Sequence, residues 1–263
     1  ERARMELQDI RVERRGEVEI LTLDRPEQRN ALTFRTYAEL EHAVRHTTAR
    51  CLVITGAGTA FCSGDDVRQV MGGGERKAGE RLSAAAPRLT PAAEALLTSN
   101  VPAIAAVNGA AVGWGMELAM MCDLRVASER AKFGELFVLR GLCCDVAGLS
   151  RLASLVGREK AAELLYTGDV IDAKEAQRIG LVSRVVPDAE LLETAVALAA
   201  KIAANPPLAV RRLKAGLREA LDPDWKTLGE WVSRSLGELF QTEDHREGVK
   251  SFLEKRAPKY VGR

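Results

Sequence analysis

What the chain lacks narrows it first. Aromatic residues make up only 5% of it, and acidic and basic residues nearly cancel, to a net charge of +1. Nucleic-acid surfaces are built from basic stripes and stacking rings, so no nucleic-acid partner is expected. No apolar run approaches the roughly 18 residues a bilayer-spanning helix needs, so no membrane partner is expected either. Five cysteines at irregular spacing do not make a disulfide framework. Cys51 and Cys122 sit in apolar runs and read as reduced core residues, and Cys143-Cys144 reads as a reduced, half-buried pair. His42, His46 and His245 fall in charged, helical contexts and read as surface residues. No metal-ligand spacing accompanies them, so no metal is expected. The first residues carry no apolar core of a signal peptide, which points to a reducing, cytoplasmic setting. A matrix location after removal of a transit peptide stays open, since the chain does not begin with Met.

What is present reads as an α/β protein. Hydrophobic residues are 46% of 263, enough for one large domain, or one domain with an appendage. Residues 9–24 alternate apolar and polar around Gly16, a hairpin signal. Thr33 stands as the N-cap of a helix ending near His46. Cys51-Leu52-Val53-Ile54-Thr55-Gly56 is a strand buried on both faces, and it leads into a glycine-rich turn and a helix. The same strand–turn–helix order recurs about 50 residues later, at 101–121, which implies a parallel sheet with helices packed outside it. Between the repeats, 71–88 is rich in glycine, alanine and charge and reads as a mobile loop. Residues 132–148 read mainly as loop. After Asn205-Pro206-Pro207 the pattern is all helix, to about Lys255. The expected organisation is a core over 1–204 and a helical region over 205–263.

The chemistry points to the two glycine-rich turns. Both open helices at the carboxyl edge of the sheet, where α/β folds bind ligands. One backbone N–H from each could meet at a single oxygen, as an oxyanion hole requires. The phosphate-binding patterns Gly-x-x-x-x-Gly-Lys-Ser/Thr and Gly-x-Gly-x-x-Gly are not matched, which argues against nucleotides. Glu117 lies one turn inside the second helix, a poor place for a carboxylate beside a helix dipole unless it has a task.

Phe61-Cys62-Ser63-Gly64-Asp65-Asp66-Val67 and Asn108-Gly109-Ala110-Ala111-Val112-Gly113-Trp114-Gly115-Met116-Glu117-Leu118 resemble the two signature segments of the enoyl-CoA hydratase/isomerase family, the crotonases. Asp24-Arg25-Pro26, Asn30-Ala31-Leu32, Leu165-Tyr166-Thr167-Gly168, 173–182, Asp244-His245-Arg246-Glu247-Gly248 and Phe252-Leu253-Glu254-Lys255-Arg256 extend the resemblance to nearly the whole chain. It implies a spiral of ββα turns with a helical C-terminal trimerisation region. It also implies homotrimers or dimers of trimers, an acyl-CoA thioester substrate and a stabilised enolate. No cofactor is implied beyond the coenzyme A that the substrate carries. By motif position, the N–H groups of Asp65 and Trp114 are the oxyanion donors. Arg25, Arg29, Ser63, Gly64, Asp66, Val67 and Gly113 fall on CoA- and substrate-binding segments, and Phe252 and Lys255 on positions that can reach CoA.

Asp65 and Trp114 depart from the small residues common there. An inward Asp65 carboxylate would oppose enolate formation, so its side chain is expected to face solvent or a neighbouring donor. Trp114 is expected to pack as a wall. Hydration needs two carboxylates about one water apart. The first matches Glu117, but the second falls at Phe137. Glu135, two residues earlier, has the right parity in an extended segment but needs a register shift, and is set behind Asp145. Asp145 matches a proton-transferring aspartate of the dienoyl-CoA isomerase branch. It also reads as a helix N-cap before Ala147-Gly148-Leu149, or as the nucleophile of a dehalogenase branch. The preferred expectation is double-bond isomerisation by proton transfer between Glu117 and Asp145, with Phe137 keeping the space dry. The alternatives are a hydratase or dehydratase, and a non-catalytic CoA-binding scaffold.

Overall fold

The computed structural model describes residues 6–67, 69 and 89–263; the loop expected at 71–88 lies outside these. Strands β1 (Ile10–Arg15) and β2 (Val18–Leu23) form the expected antiparallel hairpin. The strands that follow are β3 (Cys51–Gly56), β4 (Ala60–Cys62), β5 (Ala103–Val107), β6 (Ala110–Val112), β7 (Leu124–Ser128), β8 (Lys132–Gly134), β9 (Ile171–Asp172) and β10 (Arg184–Val186). They build a six-stranded sheet, β1-β2-β3-β5-β7-β10, and a four-stranded sheet, β4-β6-β8-β9. The successive pairs β3/β4, β5/β6 and β7/β8 each give one strand to either sheet. The pairs β2·β3, β3·β5, β5·β7 and β7·β10 are parallel, in line with a repeated ββα unit.

Alternation along the buried strands divides the core in two. Leu52 and Ile54 of β3 face the main core, while Cys51 and Val53 face a second cluster. That second cluster is closed by one helix whose apolar residues Leu191, Ala195, Ala199 and Ala203 recur every four positions. Helix α1 (Phe34–His46) starts as expected at Thr33, whose hydroxyl accepts the Thr36 N–H at 3.2 Å. Next come α2 (Pro91–Thr98) and the central helix α3 (Trp114–Met121), all eight residues of which are buried. The last carbonyls of a buried helix need donors. Arg125 donates to the Cys122 carbonyl at 2.9 Å, and Arg151 to that of Met121 at 2.8 Å.

The segment expected as loop is more ordered than its sequence implies. It holds β8, a tight helical turn at Leu136–Arg140 and the short helix α4 (Val146–Leu149). Helices α5 (Arg151–Val156), α6 (Arg158–Thr167), α7 (Ala173–Arg178) and α8 (Leu191–Ala203) follow. The helical tail divides into α9 (Pro207–Leu221), α10 (Trp225–Leu239) and α11 (Glu243–Leu253). His245 is buried, contrary to its surface reading: its ring packs edge-on to Phe240, and Nδ1 lies 2.8 Å from the Arg140 carbonyl. Among the described residues no helix is long and apolar enough to cross a membrane.

Candidate active site

The two glycine-rich turns converge. The turn between β3 and β4 is stapled from neighbouring coils by Asn30 and Asn108, whose side-chain amides donate to the Ala60 carbonyl at 2.9 and 3.1 Å. Beyond β4 the chain passes Gly64, at a φ of 85° that favours glycine. A Cβ there would sit 3.0 Å from the Val112 carbonyl and 3.4 Å from the Trp114 nitrogen, so the two backbones are in contact. Leu32 N–H donates to the Gly64 carbonyl, and Asp66 N–H to the Leu32 carbonyl, at 2.8 and 2.9 Å. Backbone alternation therefore turns the Asp65 N–H away from Leu32. Trp114 is the first residue of α3, where an N–H has no acceptor within the helix. The Trp114 N–H thus stands at the positive end of a buried helix, with the Gly64 backbone that leads into Asp65 against it.

The side chains of both residues are tied down. The Tyr37 hydroxyl donates to Asp65 Oδ1 at 2.5 Å, so Asp65 meets a neighbouring donor, as expected. Burial pushes the Asp65 carboxyl up to about 6 against the pull of that hydrogen bond. Trp114 is a buried wall: its ring meets Tyr37 edge-on at 4.7 Å, and Nε1 donates to Asp145 Oδ2 at 3.0 Å.

Glu117 is fully buried, and both its oxygens accept the Gly148 N–H, at 3.1 and 3.0 Å. A Cβ on residue 148 would lie 2.7 Å from Glu117 Oε1, so glycine is required for this approach. Glu135, set aside from sequence, is the carboxylate that the structure brings beside Glu117. It is buried, and it lies with Glu117 and Cys144 in a group whose ligand atoms are all within 4.8 Å of one another. Neither Glu135 oxygen has a hydrogen-bond partner. Burial holds both carboxyls well above the usual range. The charges of Glu135 and Asp145 add to this at Glu117, where the Gly148 and Ala147 N–H groups oppose it. The charge of Asp145 adds to it at Glu135.

Asp145 is the N-cap of α4, accepting the Val146 N–H at 2.7 Å on one oxygen and the Trp114 indole on the other. The cap reading and the indole tether account for both oxygens. Phe137 lies in the turn after β8, half-buried beside Glu135 rather than in the carboxylate's place. The trio Glu117, Glu135 and Cys144 is close enough to hold a metal ion. Its chemistry fits protons better, because both Glu117 oxygens accept an N–H and burial keeps the Cys144 thiol protonated. Cys143 is half-buried with its thiol pushed up to about 11, so neither cysteine is an activated nucleophile.

The other predicted residues are dispersed. Arg25 is engaged by its own loop: its guanidinium donates to the Ala31 carbonyl and lies 3.5 Å from Asp66 and 3.9 Å from Asp9. Arg29 is exposed, and Ser63 and Val67 are half-buried. Phe252 is stacked 4.0 Å from the Arg140 guanidinium. Phe252 and Lys255 are exposed near the end of α11 and do not line the cavity at Glu135. Three contributors were missed in the sequence: Tyr37, Gly148 and the weight of Glu135. Strand alternation through buried Phe133 was the signal for Glu135.

The family model for enoyl-CoA hydratase/isomerase matches residues 13–263. A short-chain-enoyl-CoA hydratase of Clostridium acetobutylicum is 36% identical over 96% of this chain and 97% of its own. The crystal structure of a carnitinyl-CoA hydratase from Mycobacterium avium matches with a TM-score of 0.83 at 36% identity, over 97% of this chain and 99% of the other. A monofunctional enoyl-CoA isomerase from M. smegmatis matches with a TM-score of 0.68 at 32% identity, over 85% and 98%. With the fold, the paired N–H groups and the buried carboxylates, these matches place the chain in the enoyl-CoA hydratase/isomerase family of enzymes.

Proposed function

We propose that the protein adds water across the double bond of 2-enoyl-CoA thioesters, and that Glu117 and Glu135 share the proton work. The observation that carries this is the pair itself: two buried carboxyls, one water apart, one of them with both oxygens unpartnered. The Asp65 and Trp114 N–H groups hold the thioester oxygen as it gains enolate charge. Glu117, beside the Gly148 and Ala147 N–H groups, is the better anion and takes a proton from the attacking water. Glu135, with no donor to its oxygens, keeps its proton better and delivers it to C2, while the water oxygen bonds C3. A proton then passes from Glu117 to Glu135, which restores the pair. Coenzyme A enters as part of the substrate, and no separate cofactor is needed.

The names of the hydratase relatives support this order over isomerisation. So does Asp145, whose two oxygens are already occupied by Val146 and Trp114. The presence of Glu135 removes the motive for a non-catalytic scaffold. The arrangement calls for Arg29 and the 63–67 turn, rather than Arg25, to meet the CoA portion. We further infer that the protein self-associates through the exposed leucines of α9.

The test is incubation with crotonyl-CoA in isotopically heavy-oxygen water. A labelled 3-hydroxyacyl product is expected, and Glu117→Gln and Glu135→Gln should each lower kcat about 10²- to 10⁴-fold. Double-bond migration of 3-enoyl esters without label uptake, with full activity of Glu135→Gln, would restore the isomerase reading.

A further inference from the structure

A cavity of about 640 Å³ borders Glu135. Its lining includes Glu135, Phe137, Leu149, Leu165, Tyr260 and Gly262. The last two belong to a segment folded back against the start of α11. The two carboxylate oxygens of Asp244 accept the Val261 and Gly262 N–H groups at 2.6 and 2.8 Å. The Tyr260 hydroxyl donates to the Leu139 carbonyl at 2.8 Å, and the Glu243 N–H donates to the Arg263 carbonyl at 2.7 Å. These bonds hold 260–263 as a strap along one wall of the cavity.

We propose that this strap is the floor of the acyl pocket and sets the acyl-chain length that the enzyme accepts. The inference rests on the hydratase reading in one respect only: it places C2 and C3 beside Glu135. An acyl tail continuing past C3 must then leave Glu135, and the space bordering Glu135 is this cavity. Its walls of Phe137, Leu149, Leu165 and Leu239 suit an alkyl chain, not an added polar ligand. Glu135 marks its reactive end, and the strap marks its limit. Asp244 is thus a positioning residue that acts through the strap.

The experiment is calorimetric binding of saturated acyl-CoA esters, from butyryl to dodecanoyl, to the full chain. Saturated esters bind without turnover, so the series reads the pocket whether or not the protein hydrates enoyl esters. The hydration assay alone decides the reaction. Affinity should rise about fourfold per methylene that enters the cavity, then level off at a limiting length. Leu165→Trp, which fills the cavity, should flatten the series. Asp244→Ala, which releases Val261 and Gly262, should move the limit to longer chains. Tyr260→Phe removes one hydroxyl and gives a smaller shift the same way, in a variant with little risk to folding. A flat wild-type series, an unchanged series in Leu165→Trp, or a limit unmoved in both strap variants overturns the proposal.

Discussion

Glu117 and Glu135 share one buried space and differ in what touches them, and in the proposed hydration that difference divides their labour. Asp65 is instructive for the opposite reason: it gives the site its N–H while its carboxyl works against it. In the folded chain that carboxyl stands at about 6 against an ordinary 3.8, raised by burial. The folded state therefore binds more protons than the unfolded state between those values, and stability falls as pH rises through that window. Ionisation of Asp65 at neutral pH costs about 3 kcal/mol at most. Asparagine keeps an acceptor for the Tyr37 hydroxyl and removes the charge. Asp65→Asn should thus be the more stable chain near neutral pH, and the gap should close at about pH 3 and below, where the carboxyl is protonated in both the folded and the unfolded state. Urea unfolding at the two pH values measures this, and a gap of equal size at both would refute the account. The same variant should speed enolate formation, since a negative charge leaves the neighbourhood of the thioester oxygen.

At the scale of the element, α4 serves two carboxylates with four residues. Asp145 caps it and holds the Trp114 indole, while its Gly148 N–H holds Glu117. Asp145→Asn presents an amide NH₂ to one of two donors, so the cap should weaken by about 1 kcal/mol. Its charge also raises Glu117 and Glu135. Without that charge both carboxyls titrate lower, and the pH–rate profile should move toward acid while the maximal rate stays within about tenfold. A loss as large as that of the glutamate variants would return Asp145 to acid–base duty. Elements set by local signals were legible in the sequence: the hairpin around Gly16, the Thr33 cap, the β3 strand and the Gly64 and Gly113 turns. The place of Glu135 was legible only in its parity with Phe133, not in its register. Its register follows from pairing of Val112 with Gly134, and the turn at Leu136–Arg140 then carries Phe137 out of extended parity. The burial of His245 was equally hidden, because Arg140, which accounts for it, is about a hundred residues away in the chain. Arg125 and Arg151 read as ordinary charges until the buried end of α3 needed donors.

For the whole molecule, the spiral leaves a helix face on which none of the described residues packs. Helix α9 is fixed by its polar side: Lys214 reaches the Val101 carbonyl at 2.8 Å and Asp123 at 2.9 Å, and Arg218 reaches Asn100 at 2.8 Å. That anchoring sets Leu213, Leu217 and Leu221 outward, at 69%, 61% and 71% exposure. Their spacing of four makes one continuous stripe, and an exposed apolar stripe on a well-anchored helix marks an interaction surface. A second copy of the chain is the simplest occupant, since closed homo-oligomers bury the same patch on each subunit. Light scattering on the purified chain should therefore give a multiple of 28.6 kDa. Leu213→Glu with Leu217→Glu puts charges on the stripe without touching Lys214 or Arg218, so the fold should survive and the mass should fall toward a single chain. A wild-type mass of one chain would refute self-association, and an unchanged assembly in the double variant would move it to another surface.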